Sequence, residues 1–284
     1  PRDSIDRIEV IMGNSSVLFG NNATAGSVNI ITDQSIKKGD AINTSFSVGS
    51  LGKFGSYISA TKTKSNFSVK GNHNLIFSDG YRRNSALYQN NGGFELSYNG
   101  YYDFYINLKS HNQFQELPGD VGVNTGDFSS SNGFHIDPRS SDTPQDFSQN
   151  NGHQLFYGTS VNLNNSNTFI VDGSYKYNKS EGKFISTSFP SALDTRISTY
   201  QISPRLLSDF KILGYSSDSI VGLDLNYAYY YSDRMEGNKA WYKKYKASDL
   251  NFAPYFNSNV SLSNKDDISL GFRYQWNWLR AGDM

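Results

Sequence analysis

Hydrophobic and polar residues alternate one by one over most of this chain. In the stretch 268–278 every second residue is apolar or aromatic, and the residues between them are polar or small. The same alternation recurs at 221–231, 169–178 and 104–109. Side chains of a β-strand point to opposite faces in turn, so each stretch would have one apolar and one polar face. The pattern therefore predicts a chain built from two-faced β-strands.

Eleven strands follow from this alternation after the first forty residues. They are predicted at 42–49, 54–62, 66–78, 91–99, 102–114, 152–164, 167–179, 197–208, 218–232, 249–262 and 266–279. Strands of soluble proteins usually have about five to six residues, whereas a membrane-spanning strand needs about nine to eleven, with aromatic residues at both interfaces. Several of the predicted strands are long and end in tyrosine or tryptophan. These features favour a membrane barrel over a soluble sandwich.

The predicted connections support the same interpretation. Short links are expected at 63–65, 100–101, 165–166 and 263–265, a slightly longer one at 209–217, and long loops at 79–90, 115–151, 180–196 and 233–248. Outer-membrane barrels have short periplasmic turns and long extracellular loops. If the first strand runs outward, every long loop falls outside the cell.

The amino-acid composition excludes several classes of function. The formal net charge is zero, which gives no electrostatic signature for nucleic-acid binding. Cysteine is absent, which excludes disulfides, thiolate metal sites and cysteine nucleophiles. No apolar run approaches the roughly 18 residues of a membrane helix. Aromatic residues make up 15% of the chain, dominated by tyrosine and phenylalanine. In an outer membrane this composition is typical of a β-barrel.

The segment 4–32 reads SIDRIEVIMGNSSVLFGNNATAGSVNIIT and predicts a strand, a turn-rich piece and a second strand. It resembles the last part of the plug domain of TonB-dependent outer-membrane receptors. In that family the stretch runs roughly I-E-R-I-E-V-x-R-G-P-S-S-x-x-Y-G, then small residues, then N-I-I-T. The motif positions matched here include Arg7, Glu9, Gly13, Gly20, Gly26 and Asn29. The resemblance gives these residues structural roles within the plug.

One departure from the family pattern concerns the contacts between plug and barrel. The family's Arg-Gly-Pro is Met12-Gly13-Asn14 in this chain. In the family that arginine takes part in charge contacts that tie the plug to the barrel wall. This chain lacks it.

The resemblance implies an all-β membrane protein, namely about half of a 22-stranded transmembrane β-barrel preceded by the C-terminal part of a plug domain. Residues 1–36 would belong to the plug, and residues 40–284 would form the N-terminal half of the barrel, with about eleven strands. An odd number of strands leaves open edges, which hydrocarbon does not tolerate. The chain is therefore expected to be a fragment.

The resemblance also implies a function, with no enzyme activity and no cofactor. Such receptors lie in the bacterial outer membrane as monomeric barrels, in contact with outer-membrane lipids and lipopolysaccharide. They take up a scarce, bulky ligand when TonB pulls on the plug, through a motif upstream of these residues. The expected ligand is a ferric siderophore. The alternatives are cobalamin, haem, another cofactor or an oligosaccharide, and, more remotely, a passive porin.

Candidate ligand-binding residues lie in two predicted external loops. The segment 234–246 reads RMEGNKAWYKKYK, with five cations and one anion beside aromatic rings. Cations attract an anionic ferric complex and rings pack against its organic arms. The alternative is that these residues contact lipopolysaccharide phosphates or are simply solvated. The candidates are Tyr81, Arg82, Arg83, Trp241, Tyr242, Lys243, Lys244 and Tyr245.

The loop 115–151 is acidic instead. It carries five aspartates, at positions 120, 127, 137, 142 and 146, and Arg139 is its only cation. Their spacing does not match a calcium-binding loop of the EF-hand type, so a solvated lid is the favoured interpretation and cation binding stays open. Within the loop, ELPGD at 116–120 and DPR at 137–139 resemble a pattern in siderophore-type members of the family.

Enzyme and porin functions fit the sequence poorly. The four histidines are scattered, without the HExxH spacing of a metalloprotease, and no metal site is predicted. A plain porin would have no strand–turn–strand unit before its first barrel strand, and the segment 5–32 contradicts that.

Overall fold

The computed structural model describes residues 5–12, 17, 25–32, 40–119, 139–185, 190–236, 241–263 and 266–283. These residues form two antiparallel sheets. The small sheet consists of β1 (Ile5–Met12) and β2 (Gly26–Thr32). The large sheet consists of β3 (Ala41–Val48), β4 (Phe54–Lys64), β5 (Phe67–Ser78), β6 (Leu87–Tyr98), β7 (Tyr102–Glu116), β8 (Phe147–Asn164), β9 (Asn167–Phe184), β10 (Ser191–Ile212), β11 (Tyr215–Glu236), β12 (Trp241–Ser261), β13 (Asp267–Arg273) and β14 (Trp276–Asp283).

In the large sheet, each strand from β3 to β13 pairs with the next one in sequence. Strands β13 and β14 both pair with β12, and together they continue a single register: Tyr255 faces Arg273 and Phe252 faces Trp276. The interruption between them lies opposite Pro254, which has no N–H to donate to the ladder. Counted as barrel strands, the twelve elements are therefore the eleven that the alternation predicts.

The two faces of this sheet are inverted relative to a soluble protein. Large apolar side chains are exposed on one face, here called the outer face, with Val221 53% and Phe272 64% exposed. Among the described residues, the buried hydrophobic side chains are Tyr57, Ala253 and Tyr255 only, while most buried polar residues are serines. Large exposed apolar surfaces mark contact with a membrane or a partner. The opposite face, here called the inner face, carries the polar residues.

Aromatic residues cluster on the outer face at two levels. Near the short turns, Tyr98 stacks on Phe104 with ring centroids 5.6 Å apart. Nearer the opposite end, Tyr200 lies between Tyr175 and Tyr227, at 4.8 and 6.2 Å. Two aromatic levels flanking an apolar band are typical of membrane barrels. Within the described residues no helix is both long and apolar enough to cross a membrane.

The ends of the sheet differ, as the loop lengths predicted. The turn end holds the connections 65–66, 99–101, 165–166, 213–214 and 262–266, and the loop end holds 49–53, 79–86, 117–146, 185–190 and 237–240. Two of the predicted long loops, 180–196 and 233–248, are wrong, because most of their residues extend β9 to β12. The aromatic and β-branched residues of these two segments favour a strand. Each extended strand also provides hydrogen-bond partners for the backbone N–H and C=O groups of the strand beside it.

Candidate functional site

The small sheet brings together three residues of the plug motif. Glu9 is directly opposite Asn29 in the register of β1 and β2. Arg7 Nε donates to Glu9 Oε1 at 2.8 Å, and Asn29 Nδ2 donates to Glu9 Oε2 at 3.3 Å. The hydrogen bond from Arg7 lowers the pKa of Glu9 below its usual value, so the carboxylate stays charged. The motif residues thus fix the pairing of two strands.

Gly26 is the first residue of β2 and has a backbone conformation that favours glycine. Its φ is +147°, and a Cβ at this position would lie 2.5 Å from Ile11 O. Any other residue would strain the backbone here. Gly13 and Gly20, the other motif glycines, lie outside the described residues.

Val17, which lies in sequence between β1 and β2, contacts the inner face of β13. A Cβ built on Gly271 would lie 2.9 Å from Val17 Cγ2, so glycine is what allows this close approach. Next to it, Arg273 Nη1 donates to Val17 O at 3.4 Å. The contact joins residues 256 positions apart in sequence. A barrel arginine therefore holds a plug carbonyl in a chain whose own plug motif lacks the family's arginine.

Arg273 is itself fixed by an ion pair in the sheet. Its Nη1 lies 2.7 Å from Asp224 Oδ2, and the two side chains are only 11% and 20% exposed. The guanidinium also lies over the ring of Tyr255, 5.5 Å from the centroid. Burial in a low-dielectric site strengthens such a pair when its geometry is good. The plug contact is thus made by a cation whose position is set by two neighbouring strands.

A second ion pair lines the inner face nearer the turn end. Arg205 Nη2 lies 2.6 Å from Asp172 Oδ2, and Tyr105 donates its hydroxyl to Asp172 Oδ1 at 2.9 Å. These three residues and Asp103 border an open cleft of about 670 Å³ beside the short turns. The alternation at 169–178 predicts a polar face for Asp172, but it does not predict the cleft, because the residues that border the cleft come from five different strands.

At the loop end, Arg82 connects two loops. Its guanidinium donates to three backbone carbonyls: Nε to Ser140 at 2.9 Å, Nη1 to Gly119 at 2.5 Å and Nη2 to Pro118 at 3.2 Å. Arg82 was predicted to bind ligand, whereas its donors here hold the loop 79–86 against both ends of the loop 117–146. The fork-shaped guanidinium suits several acceptors at once.

Asn84 reinforces the same junction. Its Nδ2 lies 2.9, 2.5 and 2.9 Å from the carbonyl oxygens of Leu117, Thr143 and Asp146, which share its two N–H donors. The carboxylate of Asp146, which is 3% exposed, accepts from the Ile185 backbone N–H at 2.8 Å. Three connections at the loop end are therefore tied together. Because Asp146 accepts a backbone hydrogen bond, one of the five aspartates of this loop has a structural partner, and those at 120, 127 and 137 lie outside the described residues.

The other two candidates of the first loop lie beside this junction. Tyr81 is 51% exposed, and the guanidinium of Arg139 lies 5.5 Å from its ring centroid. The backbone N–H of Arg83 donates to Arg139 O at 3.0 Å. Tyr81 thus presents an aromatic ring with an adjacent cation at the loop end, which keeps it available as a ligand contact.

The second candidate segment forms a β-hairpin rather than a loop. Arg234 pairs with Lys243, and Ser232 pairs with Tyr245, on the inner face. The guanidinium of Arg234 lies over the ring of Tyr245, 5.4 Å from the centroid. Lys244 pairs with Asp233 on the outer face. The strand pleat therefore places Lys243 and Lys244 on opposite faces of the sheet. The sequence analysis did not predict this separation, because it assigned the segment to a loop.

Trp241 and Tyr242 begin β12, with their backbones paired to Glu236 and Met235. That these two residues line a ligand vestibule stays a prediction. Among the described residues, no group of three or more histidine, aspartate or glutamate side chains is close enough to hold a metal ion.

Sequence comparison finds no protein-family profile and no curated protein that matches the chain. Solved structures do match. The ferric citrate transporter FecA in its unliganded form has a TM-score of 0.80 at 16% identity, over 99% of this chain and 44% of that one. The ferric yersiniabactin uptake receptor FyuA from Yersinia pestis has a TM-score of 0.78 at 13% identity, over 98% and 48%.

The ferripyoverdine receptor of the outer membrane of Pseudomonas aeruginosa, bound to ferripyoverdine, has a TM-score of 0.79 at 12% identity. The match covers 99% of this chain and 43% of that one. This chain thus spans a little under half of the length of these three proteins, which are receptors or transporters. At these identities the likeness establishes the fold, and the open sheet agrees with it. The chain has the fold of a partial TonB-dependent outer-membrane receptor, a plug segment followed by an incomplete β-barrel, as the motif resemblance implied.

Proposed function

We propose that this chain is part of a TonB-dependent receptor of the bacterial outer membrane that takes up a bulky ligand, a ferric siderophore. The observation that carries the proposal is the contact of Val17 with Gly271 and Arg273. A passive porin needs no separate segment against its inner wall. A receptor whose pore must stay closed until energy is supplied does need one.

The cations on the inner face of the hairpin β11–β12 support the proposal that the ligand is anionic. Arg234 and Lys243 are directly opposite each other, with the ring of Tyr245 beneath the guanidinium. In the described part of the chain no carboxylate pairs with either cation. Paired cations over an aromatic ring attract an anionic complex by charge and pack against its organic arms. Tyr81 and Arg139 add a second aromatic–cation pair at the same end of the sheet.

Neighbouring lysines provide a matched test of this site. Lys243→Ala removes a cation from the inner face, and Lys244→Ala removes one from the outer face, one residue away. In the complete receptor, the first change should slow capture of a radiolabelled ferric siderophore by whole cells, most visibly at low salt, because exposed charges are screened over about 8 Å at physiological ionic strength. The second should leave capture unchanged. Equal effects of both changes would remove the hairpin from the ligand site.

The ligand class requires a separate experiment. The complete receptor would be expressed in a strain that lacks it, with and without functional TonB. The strain would be grown under limitation of iron with ferric siderophores or haem, under limitation of cobalamin with cobalamin, and under limitation of carbon with oligosaccharides. We expect TonB-dependent rescue by one ferric siderophore. TonB-dependent rescue by cobalamin, haem or a sugar alone would contradict the siderophore assignment but agree with the receptor assignment. Uptake that does not need TonB would contradict the assignment as a TonB-dependent receptor.

A further inference from the structure

The outer face of β5 to β8 is uncharged between two aromatic levels. The level near the short turns includes Tyr98 and Phe104, and the level nearer the loop end includes Tyr88 and Phe114. Along β7, Phe104 and Phe114 are ten residues apart. This is about 33 Å along the strand and roughly 25 Å along the barrel axis at a tilt of about 40°, which is the height of the apolar band of an outer-membrane barrel. Between these levels the four strands carry no lysine, arginine, aspartate or glutamate on the outer face. The lysines of β4, at positions 62 and 64, lie at the turn end of that strand.

Farther along the sheet the band is displaced toward the short turns. The register continues from Phe104 to Pro204 on β10, whereas the aromatic residues of β10 are Tyr200 and Phe210. Tilted strands produce such a displacement, because residues opposite one another on successive strands differ in height by about 3 Å per strand. The charged outer-face residues near the loop end of β9 and β10, such as Arg196, therefore lie beyond the band.

Inside the band, β5 to β8 carry a patch of polar side chains. The two outer-face positions below the upper aromatic level are occupied mostly by asparagine, histidine and serine. The positions directly beneath them include Phe94 and Leu108, which are 46% and 49% exposed. Apolar or aromatic residues thus lie both above and below the polar ones. We call this surface the polar patch, and its members are His73, Asn90, Ser110, Asn112, Asn151 and His153.

Only part of the polar patch is hydrogen-bonded within the chain. His73 Nε2 lies 2.8 Å from Asn90 Oδ1, and Asn90 Nδ2 donates to the Tyr88 hydroxyl at 3.3 Å. Within the part of the chain that the structure describes, the side chains of Ser110 and Asn112 form no hydrogen bond. A polar group without a partner in hydrocarbon costs several kcal/mol. The patch therefore needs a partner inside the membrane.

The chemistry of the patch restricts that partner. Lipid chains offer neither donors nor acceptors, and polar groups within a membrane usually pair with protein groups. The partner must be uncharged and must present both donors and acceptors at the depth of the patch. A second copy of this protein meets all of these conditions. A two-fold axis along the membrane normal brings the two patches together at equal depth, and every asparagine amide can both donate and accept.

The surface is also large enough for such a pair. Four strands about 4.8 Å apart and a band about 25 Å high give roughly 480 Å² on each copy, or about 1,000 Å² for both. This is the size at which specific interfaces begin. Under the same two-fold axis, the apolar positions below the patch meet the apolar positions of the other copy. Polar and apolar levels are therefore matched together.

We propose that the outer face of β5 to β8 is the contact between two copies of the receptor, joined by hydrogen bonds between their polar patches. Asn90 and Asn112, which are directly opposite each other in the register, lie at the centre of this contact. The inference rests on the outer-membrane location in the proposed function and is independent of the transported ligand. It differs from the monomeric barrel that the resemblance implied.

The test uses the absence of cysteine from these 284 residues. In the complete receptor, any cysteine elsewhere is replaced by serine, and Ser110→Cys is introduced as a reporter in the patch. Isolated outer membranes are oxidised with copper phenanthroline, and the products are separated on a non-reducing gel. Leu225→Cys, on the outer face of β11, is the control for random collisions. The reporter is then combined with Asn90→Leu and Asn112→Leu, or with the matched inner-face pair Asn226→Leu and Asn251→Leu, which are also opposite each other.

We expect the Ser110→Cys reporter to form a reducible species of twice the receptor mass, at least about tenfold more than Leu225→Cys. The outer-face asparagine pair should lower this yield about tenfold, because hydrogen bonds between membrane segments contribute up to about 1.7 kcal/mol each. The inner-face pair should not lower it. Heat modifiability on a gel confirms that each variant is folded.

Four results would overturn the proposal. They are equal yields from both reporters, no product from Ser110→Cys, a product whose mass shows a different protein, and an unchanged yield after loss of the outer-face asparagines. A receptor missing from the outer-membrane fraction would overturn this inference and the proposed function together. Failure of siderophore uptake alone would leave the contact between copies intact.

Discussion

Gly271 of the barrel wall faces Val17 of the plug so closely that a single added methyl group would collide with it. The built Cβ would lie 2.9 Å from Val17 Cγ2, 3.0 Å from Val17 Cγ1 and 2.8 Å from Asn257 Oδ1. Distances of this kind require a neighbour to move. The residue with no side chain is thus the one at which Val17 comes closest to the wall.

Replacing Gly271 by leucine is expected to loosen the plug. Overpacking typically destabilises by about 1–3 kcal/mol, and here Val17 would be pushed off the wall. Limited proteolysis of the plug in the complete receptor measures this. Gly71→Leu is the control, because nothing lies within 4 Å of a Cβ there. A plug that is equally protected in both variants would show that the contact is not tight.

Removing one partner of the pair Arg273–Asp224 should be costly. Asp224→Asn leaves a mostly buried guanidinium without its counter-charge, which typically destabilises by about 3–5 kcal/mol. The double change Asp224→Asn with Arg273→Met should recover part of this loss, because no charge remains uncompensated. Urea unfolding of the receptor in vesicles gives all four values of the cycle. Strict additivity would mean that the pair does not interact.

A charge on the outer face should disturb insertion far more than the same charge on the inner face. Leu225→Arg places a cation among lipid chains, at an expected loss of about 2–4 kcal/mol near mid-depth. Asn226→Arg, one residue along the same strand, faces the interior and should be milder. Labelling with a lipid-confined probe checks the assignment independently. Stronger labelling at 226 than at 225 would shift the register of β11 by one residue.

Arg82→Lys separates a structural role from a ligand-binding one. Lysine keeps the charge and loses the fork that reaches three carbonyls at once. We expect amide hydrogen exchange in 117–119 and 139–146 to become at least about tenfold faster, a change of ~1.4 kcal/mol in local opening. Ligand capture should fall only as a consequence. Unchanged exchange together with normal capture would assign Arg82 to charge attraction alone.

The network around Asp194 predicts sensitivity to acid. Partial burial alone would raise the pKa of Asp194, but the hydrogen bond and charge of Arg196, together with Lys179, lower it below its usual value. A lowered pKa means that the folded protein binds fewer protons than the unfolded chain. The stabilisation is therefore complete above about pH 4, the pKa of an unfolded aspartate, and is lost as the pH falls through the folded value.

Asp194→Asn should abolish that part of the acid dependence. Unfolding curves measured between about pH 7 and pH 2 would converge for wild type and variant at the acidic end. Lys179 has a raised pKa, so its contribution persists to alkaline pH and is lost only above the usual lysine value. Parallel curves over the acidic range would exclude Asp194 as the source.

Much of the fold could be predicted because the alternation of apolar and polar residues along a strand is visible within a short stretch of sequence. All eleven predicted barrel strands occur, and residues of the predicted apolar faces, such as Val221 and Phe272, are exposed. The resemblance gave Arg7, Glu9 and Asn29 structural roles in the plug, and in the small sheet hydrogen bonds join these three side chains. Alternation and a local motif suffice for both results, since neither depends on distant parts of the chain.

The site was less predictable because its contacts are long-range. No local pattern connects Val17 with Arg273, or Arg82 with Gly119. The lengths of β11 and β12 also escaped prediction, since basic and glycine-containing segments look like loops until a neighbouring strand offers a ladder. Once the hairpin extends, the pleat decides that Lys243 and Lys244 face different environments.

Pro254 gives the wall a mechanical weak point. The ladder lacks a hydrogen bond opposite Tyr274, while Tyr274 N still donates to Pro254 O at 3.1 Å. The adjacent residue on the same strand is Arg273, through which the plug is held. A tug on the plug would therefore load the seam between β12 and β13 beside its missing rung. We expect the wall to yield first beside Pro254, where the force enters it.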